Sequence, residues 1–302
     1  MSAAPLAPAR PAVTSGTTPA GPRRPRVRAG RVAGNVVAVV VALCWVFPVY
    51  WMINSSFTPD ARLGARTPSF FPTHGTTANY RDAVDGSGFW SALQMSLAIT
   101  LVTVVAVLAF AFLAALAISR FRFRGRRSFV VAVLFIQMLP AEGLFIAQYK
   151  MLSAADLLNS VVGVSVLYTA AIVPFTVWML RGFVAGIPAE LEEAAMVDGL
   201  SRTGAFLRIT FPLLAPGLVA SGVYAFLQAW NEFTVALVAL PAEGSQTLPL
   251  WLRGFLNASV NEGVNWAQVM AASTLIALPV MIFFLLVQNR MTGGLVSGAV
   301  KG

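Results

Sequence analysis

Six runs of apolar residues, each near the length of a bilayer crossing, limit what this 302-residue chain can fold into. They are Val32–Ile53, Phe89–Ile118, Phe129–Phe145, Val161–Met179, Leu218–Leu240 and Val269–Val287. About 20 helical residues cover the ~30 Å of hydrocarbon in a membrane. The third run is the weakest, because Pro140 and Glu142 interrupt its far end. Lipid offers no water to backbone N–H and C=O groups, so a spanning segment is a helix or part of a closed barrel. These runs lack the alternation of a barrel strand. The expectation is an all-α membrane protein with six transmembrane helices. Composition agrees: 57% of residues are hydrophobic and 11% charged, where soluble domains carry about 25% charged.

The basic residues set the orientation, because cytoplasmic loops collect Lys and Arg. Six spans put four segments on one side. They are the N-terminal tail (Arg10, Arg23, Arg24, Arg26, Arg28, Arg31), the connection Arg120–Arg127, the connection holding Arg181, Arg202 and Arg208, and the C-terminal tail with Arg290 and Lys301. Those segments hold 16 of the 21 Lys and Arg, leaving Arg62, Arg66, Arg81, Lys150 and Arg253 opposite. Both termini are therefore expected in the cytoplasm.

The net charge of +9 follows the topology, and no folded basic domain is present to hold nucleic acid. Residues 1–31 are rich in Pro, Ala, Gly, Thr and Arg without apolar periodicity, which predicts a disordered basic tail. The first apolar run is long for a signal peptide and lacks a clear small-residue cleavage site, so it is expected to stay as an anchor. Cys44 is the only cysteine, so neither an internal disulfide nor a cysteine-based metal cluster can form.

Between the fourth and fifth runs lies a charged connection, residues 181–216. Ile187-Pro188 precedes Glu190, Glu192 and Glu193. Proline fits a first helical turn, and early carboxylates complement the helix dipole. Ala189 to Val197 are good helix formers and Gly199 supplies a stop, giving a helix of about 13 Å. Ser201 or Thr203 can cap a second short helix running toward Thr210. Helices this short need a surface to pack on. An interfacial helix on the lipid headgroups is the alternative, but such helices favour Lys and Arg over carboxylates. Docking to a soluble protein fits the acidic sequence better.

This loop carries a family signature. Glu193-Ala194-Ala195, then Gly199, then Ile209 and Pro212 resemble the E-A-A, G, I, L-P pattern of the membrane subunits of bacterial ATP-binding-cassette (ABC) importers, with Phe211 where the pattern has Leu. The resemblance spans residues 47–302 and points to the carbohydrate-uptake branch with a MetI/MalG-like permease fold. Supporting segments are Asn79-Tyr80, Ser119–Arg126, Leu180-Arg181-Gly182-Phe183, Trp230-Asn231-Glu232-Phe233, Thr247-Leu248-Pro249 and Gly293–Gly302. Met95 departs from the pattern, since relatives often carry Asn there. Leu180–Asp198 and Ile209–Gln228 are similar to permeases assigned to chitobiose or other oligosaccharides.

The resemblance implies a mechanism. Glu190, Glu193, Ala194, Ala195, Asp198, Gly199, Ile209 and Pro212 would form the docking loop. Its helix would sit in a cleft of a cytoplasmic ATPase, with Glu193 paired to a basic residue. Partners would be a second permease subunit, two copies of the ATPase and an extracytoplasmic solute-binding protein, all at the plasma membrane. This chain has no G-x-x-x-x-G-K-[ST] phosphate loop, so ATP and Mg²⁺ would belong to the ATPase. No catalytic residue, cofactor or metal is assigned to it. His74, the single histidine, falls in a polar loop and reads as a solvated side chain.

Trp230, Asn231 and Glu232 lie inside the fifth run, where a carboxylate is costly and faces a cavity or a partner. One reading has them lining the sugar pathway, with Trp230 offering a face to a pyranose. The other places them at the interface with the second permease. Gln137, Glu142, Gln148 and Tyr149 divide similarly between contacts outside the membrane and ordinary interfacial polarity. Two other functions fit the sequence less well. An ion-coupled secondary transporter working through Glu232 leaves the acidic loop without a purpose. A membrane-embedded enzyme lacks a cluster of His, Asp or Cys.

Overall fold

The computed structural model describes residues 29–65, 69–72, 75–85, 88–138, 140–258 and 263–296. It divides into two units, Met1–Pro48 and Val49–Gly302. Residues 1–28 of the expected tail, His74, and Asn261-Glu262 lie outside the described residues.

The first unit contributes most of helix α1 (Ala29–Ser56). From Val32 to Pro48 every side chain is exposed, Trp45 at 80%. A helix that is apolar all round and buries nothing within its own unit is suited to lipid.

The second unit continues with α2 (Asp60–Leu63), α3 (Ala78–Asp85), α4 (Phe89–Arg120), α5 (Arg126–Ile136), α6 (Phe145–Ala154), α7 (Val161–Ala185) and α8 (Glu190–Val197). After these come α9 (Arg202–Ala205), a π-helical turn (Phe206–Thr210), α10 (Phe211–Trp230), α11 (Thr234–Ala239), α12 (Leu248–Ala258) and α13 (Trp266–Val296). No strand occurs among the described residues. Five stretches among them are long and apolar enough to cross a membrane: Val32–Ser56, Phe89–Arg120, Val161–Ala185, Arg202–Trp230 and Trp266–Arg290.

α4 and α7 pack along each other, and α10 packs on both and on α13. The buried stripe of α4 is mostly small: Ala92, Ser96, Thr100, Thr103, Ala111 and Ala115. Phe89, Ile99, Val107 and Ile118 are its large buried side chains, while Leu101, Val105, Phe110 and Leu113 point outward. Lipid is as apolar as leucine, so packing rewards close backbone approach more than burial of bulk. Met95 packs against the apolar cluster around Ile99 and Leu152.

The third apolar run is not one helix. It is split between α5, of 11 residues, and α6, of 10, with a 3-10 turn at Ala141–Leu144 between them. Each is roughly 15 Å long, about half a bilayer. Pro140 stands in the break and cannot donate to a helical ladder. Together the two pieces run antiparallel along α7. Val130 packs in the cluster of Val177 and Leu180, Gln137 Nε2 donates to the Ala171 carbonyl at 3.2 Å, and Leu152 joins the cluster of Val164.

The connection between α1 and α4 is held by side-chain hydrogen bonds. Asn79 Nδ2 donates to the carbonyls of Ser56 (2.8 Å) and Thr58 (3.1 Å), and Tyr80 Oη shares a hydrogen bond with Ser56 Oγ at 2.6 Å. Asn79-Tyr80 thus fastens α3 to the end of α1.

The α6–α7 connection is tight. Asn159 takes φ +55°, a region asparagine tolerates, and its Oδ1 accepts from the Ala242 N–H at 2.9 Å. Ser160 Oγ caps α7 by accepting from Gly163 N–H at 3.0 Å. A Cβ on Gly163 would stand 2.2 Å from the Leu157 carbonyl oxygen. Gly163→Ala is therefore expected to destabilise the protein by about 1–3 kcal/mol through overpacking. Gly182→Ala, where the space is open, is the control. Thermal unfolding of both in detergent checks this, and equal melting temperatures would refute it.

Candidate functional site

The connection from α7 to α10 is built on two local motifs. α8 begins after Pro188 and carries Glu190, Glu192 and Glu193 in its first turn. Its end is a Schellman cap: the Leu200 N–H donates to the Ala195 carbonyl at 3.0 Å and the Gly199 N–H to Met196 at 3.1 Å. Gly199 takes φ +92°, which a side chain resists. Ser201 Oγ then caps α9 by accepting from Gly204 N–H at 3.1 Å. Thr203 is not the cap.

The three carboxylates divide by helix phase. Glu190 and Glu193 are exposed and make no ion pair among the described residues. Glu192 turns inward. Its Oε1 accepts from Thr210 Oγ1 at 2.6 Å and pairs with Arg120 Nη2 at 3.3 Å. The same Arg120 nitrogen donates to the Ile187 carbonyl at 3.3 Å. Thr210 is fully buried. A hydrogen bond to a charged group, such as that from Thr210 to Glu192, contributes about 1.5–3 kcal/mol. Neither Glu192 nor Arg120 stands out in the sequence as a site residue, because the contact joins positions 72 apart in the chain.

The remaining loop residues fall on two sides. Ala195 is buried, and α8 packs on α9 and the π-helical turn. Ala194, Asp198 and Pro212 are exposed, and Ile209 is half-buried. Val197 is 87% exposed, with Leu191 and Met196 also open. α8 therefore presents an apolar and acidic outer face. Pro212 has no N–H for a regular ladder, and the wider π turn comes immediately before it. Phe211, the departure from the family pattern, meets Phe112 of α4 at 6.0 Å between ring centroids, and Phe206 meets Phe112 at 6.2 Å. The larger ring thus has its own partners.

At the other end of α10 the helix stops. Leu218–Leu240, expected to be one span, is broken at residues 231–233. Glu232 explains the break. Its Oε1 accepts from Val235 N–H at 2.8 Å and its Oε2 from Ala236 N–H at 3.0 Å, so the carboxylate caps α11. A buried helix start needs such an acceptor. Trp230 is 2% exposed, donates from Nε1 to the Ile276 carbonyl at 3.3 Å, and stacks on Phe226 at 5.6 Å. It is a core side chain and leaves no face for a pyranose. Asn231 is exposed and donates back to the Leu227 carbonyl at 2.8 Å. Gln137 spends its amide on α7, as above. Tyr149 is exposed.

The stretch from α4 to α13 that contains this loop and break matches, over residues 107–293, the family described as binding-protein-dependent transport system inner membrane component. The chain belongs to that family. It is therefore a multi-pass permease subunit of the cell membrane and not an enzyme, ATP hydrolysis lying with a separate subunit. This permease is 44% identical over 273 residues to the permease protein DasC of the diacetylchitobiose uptake system of Streptomyces coelicolor, covering 90% of this chain and 98% of that one. It is 32% identical over 257 residues to SugB of the trehalose transport system of Mycobacterium tuberculosis, covering 85% and 93%. Among solved structures it resembles a bacterial ABC transporter involved in the import of the acidic polysaccharide alginate. There the TM-score is 0.73 at 26% identity, over 87% of this permease and 97% of that chain.

If Glu232 serves as a cap, Glu232→Ala should raise amide hydrogen exchange at Val235 and Ala236 at least about tenfold, as expected for losing roughly 1–2 kcal/mol of helix-end stability. Unchanged protection of the segment 234–239 would refute the assignment.

Proposed function

We propose that this permease is one of two membrane halves of an ATP-driven importer for sugars, oligosaccharides of the chitobiose type in particular. The observation that carries this is the outer face of α8. Glu190, Glu193 and Val197 project from a helix that is capped at its end and tied inward through Glu192. A short helix keeps such a face open to solvent only if a partner covers it in the working assembly. The partner is a cytoplasmic ATPase, present twice. Residues 181–216 form the coupling loop, with Glu193 paired to a basic side chain of the ATPase. ATP-driven closure of the ATPases moves α8 and with it the membrane halves, and an extracytoplasmic binding protein supplies the sugar.

In this reading α5 and α6 together make the third crossing, for a total of six with both termini in the cytoplasm and residues 1–31 as a basic tail. The antiparallel run of α5 and α6 along α7 supports that count. Sugar as the substrate is supported by the relatives at 44% and 32% identity. An ion-coupled transporter would work through Glu232, but both of its oxygens accept backbone N–H bonds that cap α11, which gives the carboxylate a structural role. No observation favours that alternative.

Two outcomes are expected. Glu193→Lys, by charge reversal at the docking contact, and Gly199→Asp, by straining a φ of +92°, each reduce uptake to background while the protein stays in the membrane. Wild-type uptake in either would contradict the reading. In a Cys44→Ser background, a cysteine at position 193 is expected to react with membrane-impermeant maleimide only after the cytoplasmic face is opened. Labelling in intact cells would reverse the topology.

A further inference from the structure

Only one polar knot joins α8 to the long helices among the described side-chain contacts, and it centres on a carboxylate that is turned away from the outer face. Of the eight residues of α8, Ala195 is the buried one, so little apolar packing holds this helix to the membrane body. Beside it a groove of about 520 Å³ separates α8 from the end of α4, lined by Leu116, Arg120, Glu192, Glu193, Met196 and Phe206. Arg120 spans that groove. From the last residue of α4 it reaches the Ile187 carbonyl, at the start of the loop, and Glu192 Oε1, both at 3.3 Å. The same Oε1 takes the Thr210 hydroxyl proton at 2.6 Å, and Thr210 lies directly before α10. One carboxylate oxygen thus ties the docking helix to α4 and α10, two long helices that pack on each other.

We infer that Glu192, Arg120 and Thr210 form the strut that transmits movement of α8 to the membrane helices, and that Glu192 is a positioning residue for coupling and not part of the docking face. The physical basis is stiffness. A short hydrogen bond from Thr210 at 2.6 Å and an ion pair to Arg120 at 3.3 Å share one acceptor and hold the helix from two directions, which the open groove between α8 and α4 does not. A displacement of α8 therefore reaches α4 and α10 through these bonds. Without them α8 keeps only its packing on α9 and the π-helical turn, and its movement loses the direct link to α4.

This rests on the reading of α8 as the helix that an ATPase grips, and a double-mutant cycle in the reconstituted transporter separates the two. The variants are Glu192→Gln, Arg120→Gln, their combination, and Thr210→Val as a near-isosteric change that removes only the hydroxyl. Each is measured for ATPase subunits retained on purification and for sugar imported per ATP hydrolysed. The expected result is full ATPase retention in all four. Import per ATP falls about tenfold in each Gln variant and about threefold in Thr210→Val, and the combined variant is no worse than the single ones, as for groups acting as a unit. Multiplicative loss in the combined variant would overturn the strut. So would import per ATP within about twofold of wild type in Glu192→Gln, or loss of the ATPase from that variant, which would put Glu192 on the docking face. If the unmodified permease retains no ATPase, it is the reading of α8 that fails.

Discussion

A backbone in lipid must satisfy its own hydrogen bonds, and most of this structure follows from that requirement. Where helices run unbroken, as in α4, α7 and α13, the ladder does it. Where they break, a side chain or a turn takes over. Glu232 supplies two carboxylate oxygens to the start of α11, and Ser160 caps α7. Proline stands inside α1, α7, α10 and α13, as membrane-spanning helices tolerate where other groups satisfy the freed carbonyls. The breaks therefore have partners and are not defects.

The same requirement governs charge. A carboxylate near the membrane is retained only when donors surround it, and both inward-facing glutamates obey this differently. Glu232 is neutralised locally by amides four residues or fewer away. Glu192 is answered by a guanidinium 72 residues earlier in the chain and a hydroxyl 18 residues later. The first arrangement shapes a helix end, while the second binds separate elements to each other. Glu190 and Glu193, which have neither kind of donor among the described residues, stay exposed, Glu193 at the groove beside α4.

Much of this could be read before any coordinates. Gly199 after an alanine-rich helix and Ser201 before the next are local signals, decided by φ and by one side-chain oxygen, and the structure uses both. The apolar runs located the long helices for the same reason, since transfer into lipid is a sum over neighbours in sequence. What misled was continuity. Hydropathy reports whether a run is soluble in hydrocarbon, not whether its N–H ladder is intact, so the break at 231–233 was invisible to it, while the one at Pro140 was announced only by the proline and Glu142. An acidic residue three places before apolar helix formers, as Glu232 is before Val235, was a cap signal overlooked because the run around it was apolar. Trp230 looked like a pathway residue for a similar reason. Its neighbours were polar, yet its ring turned to Phe226 and its N–H to Ile276.

The amino-acid order alone determined that this protein lives in a membrane, that its body is helical, and that an acidic helix closed by a glycine interrupts the apolar segments. Each of those depends on residues within a few turns of one another. Only the tertiary structure decided which glutamate faces inward and which aromatic ring is buried. It also decided that α5 and α6 lie end to end along α7. A helix's rotation about its axis is set by what it packs on, and the groups that fixed it here, Arg120 for Glu192 and Ile276 for Trp230, come from distant parts of the chain.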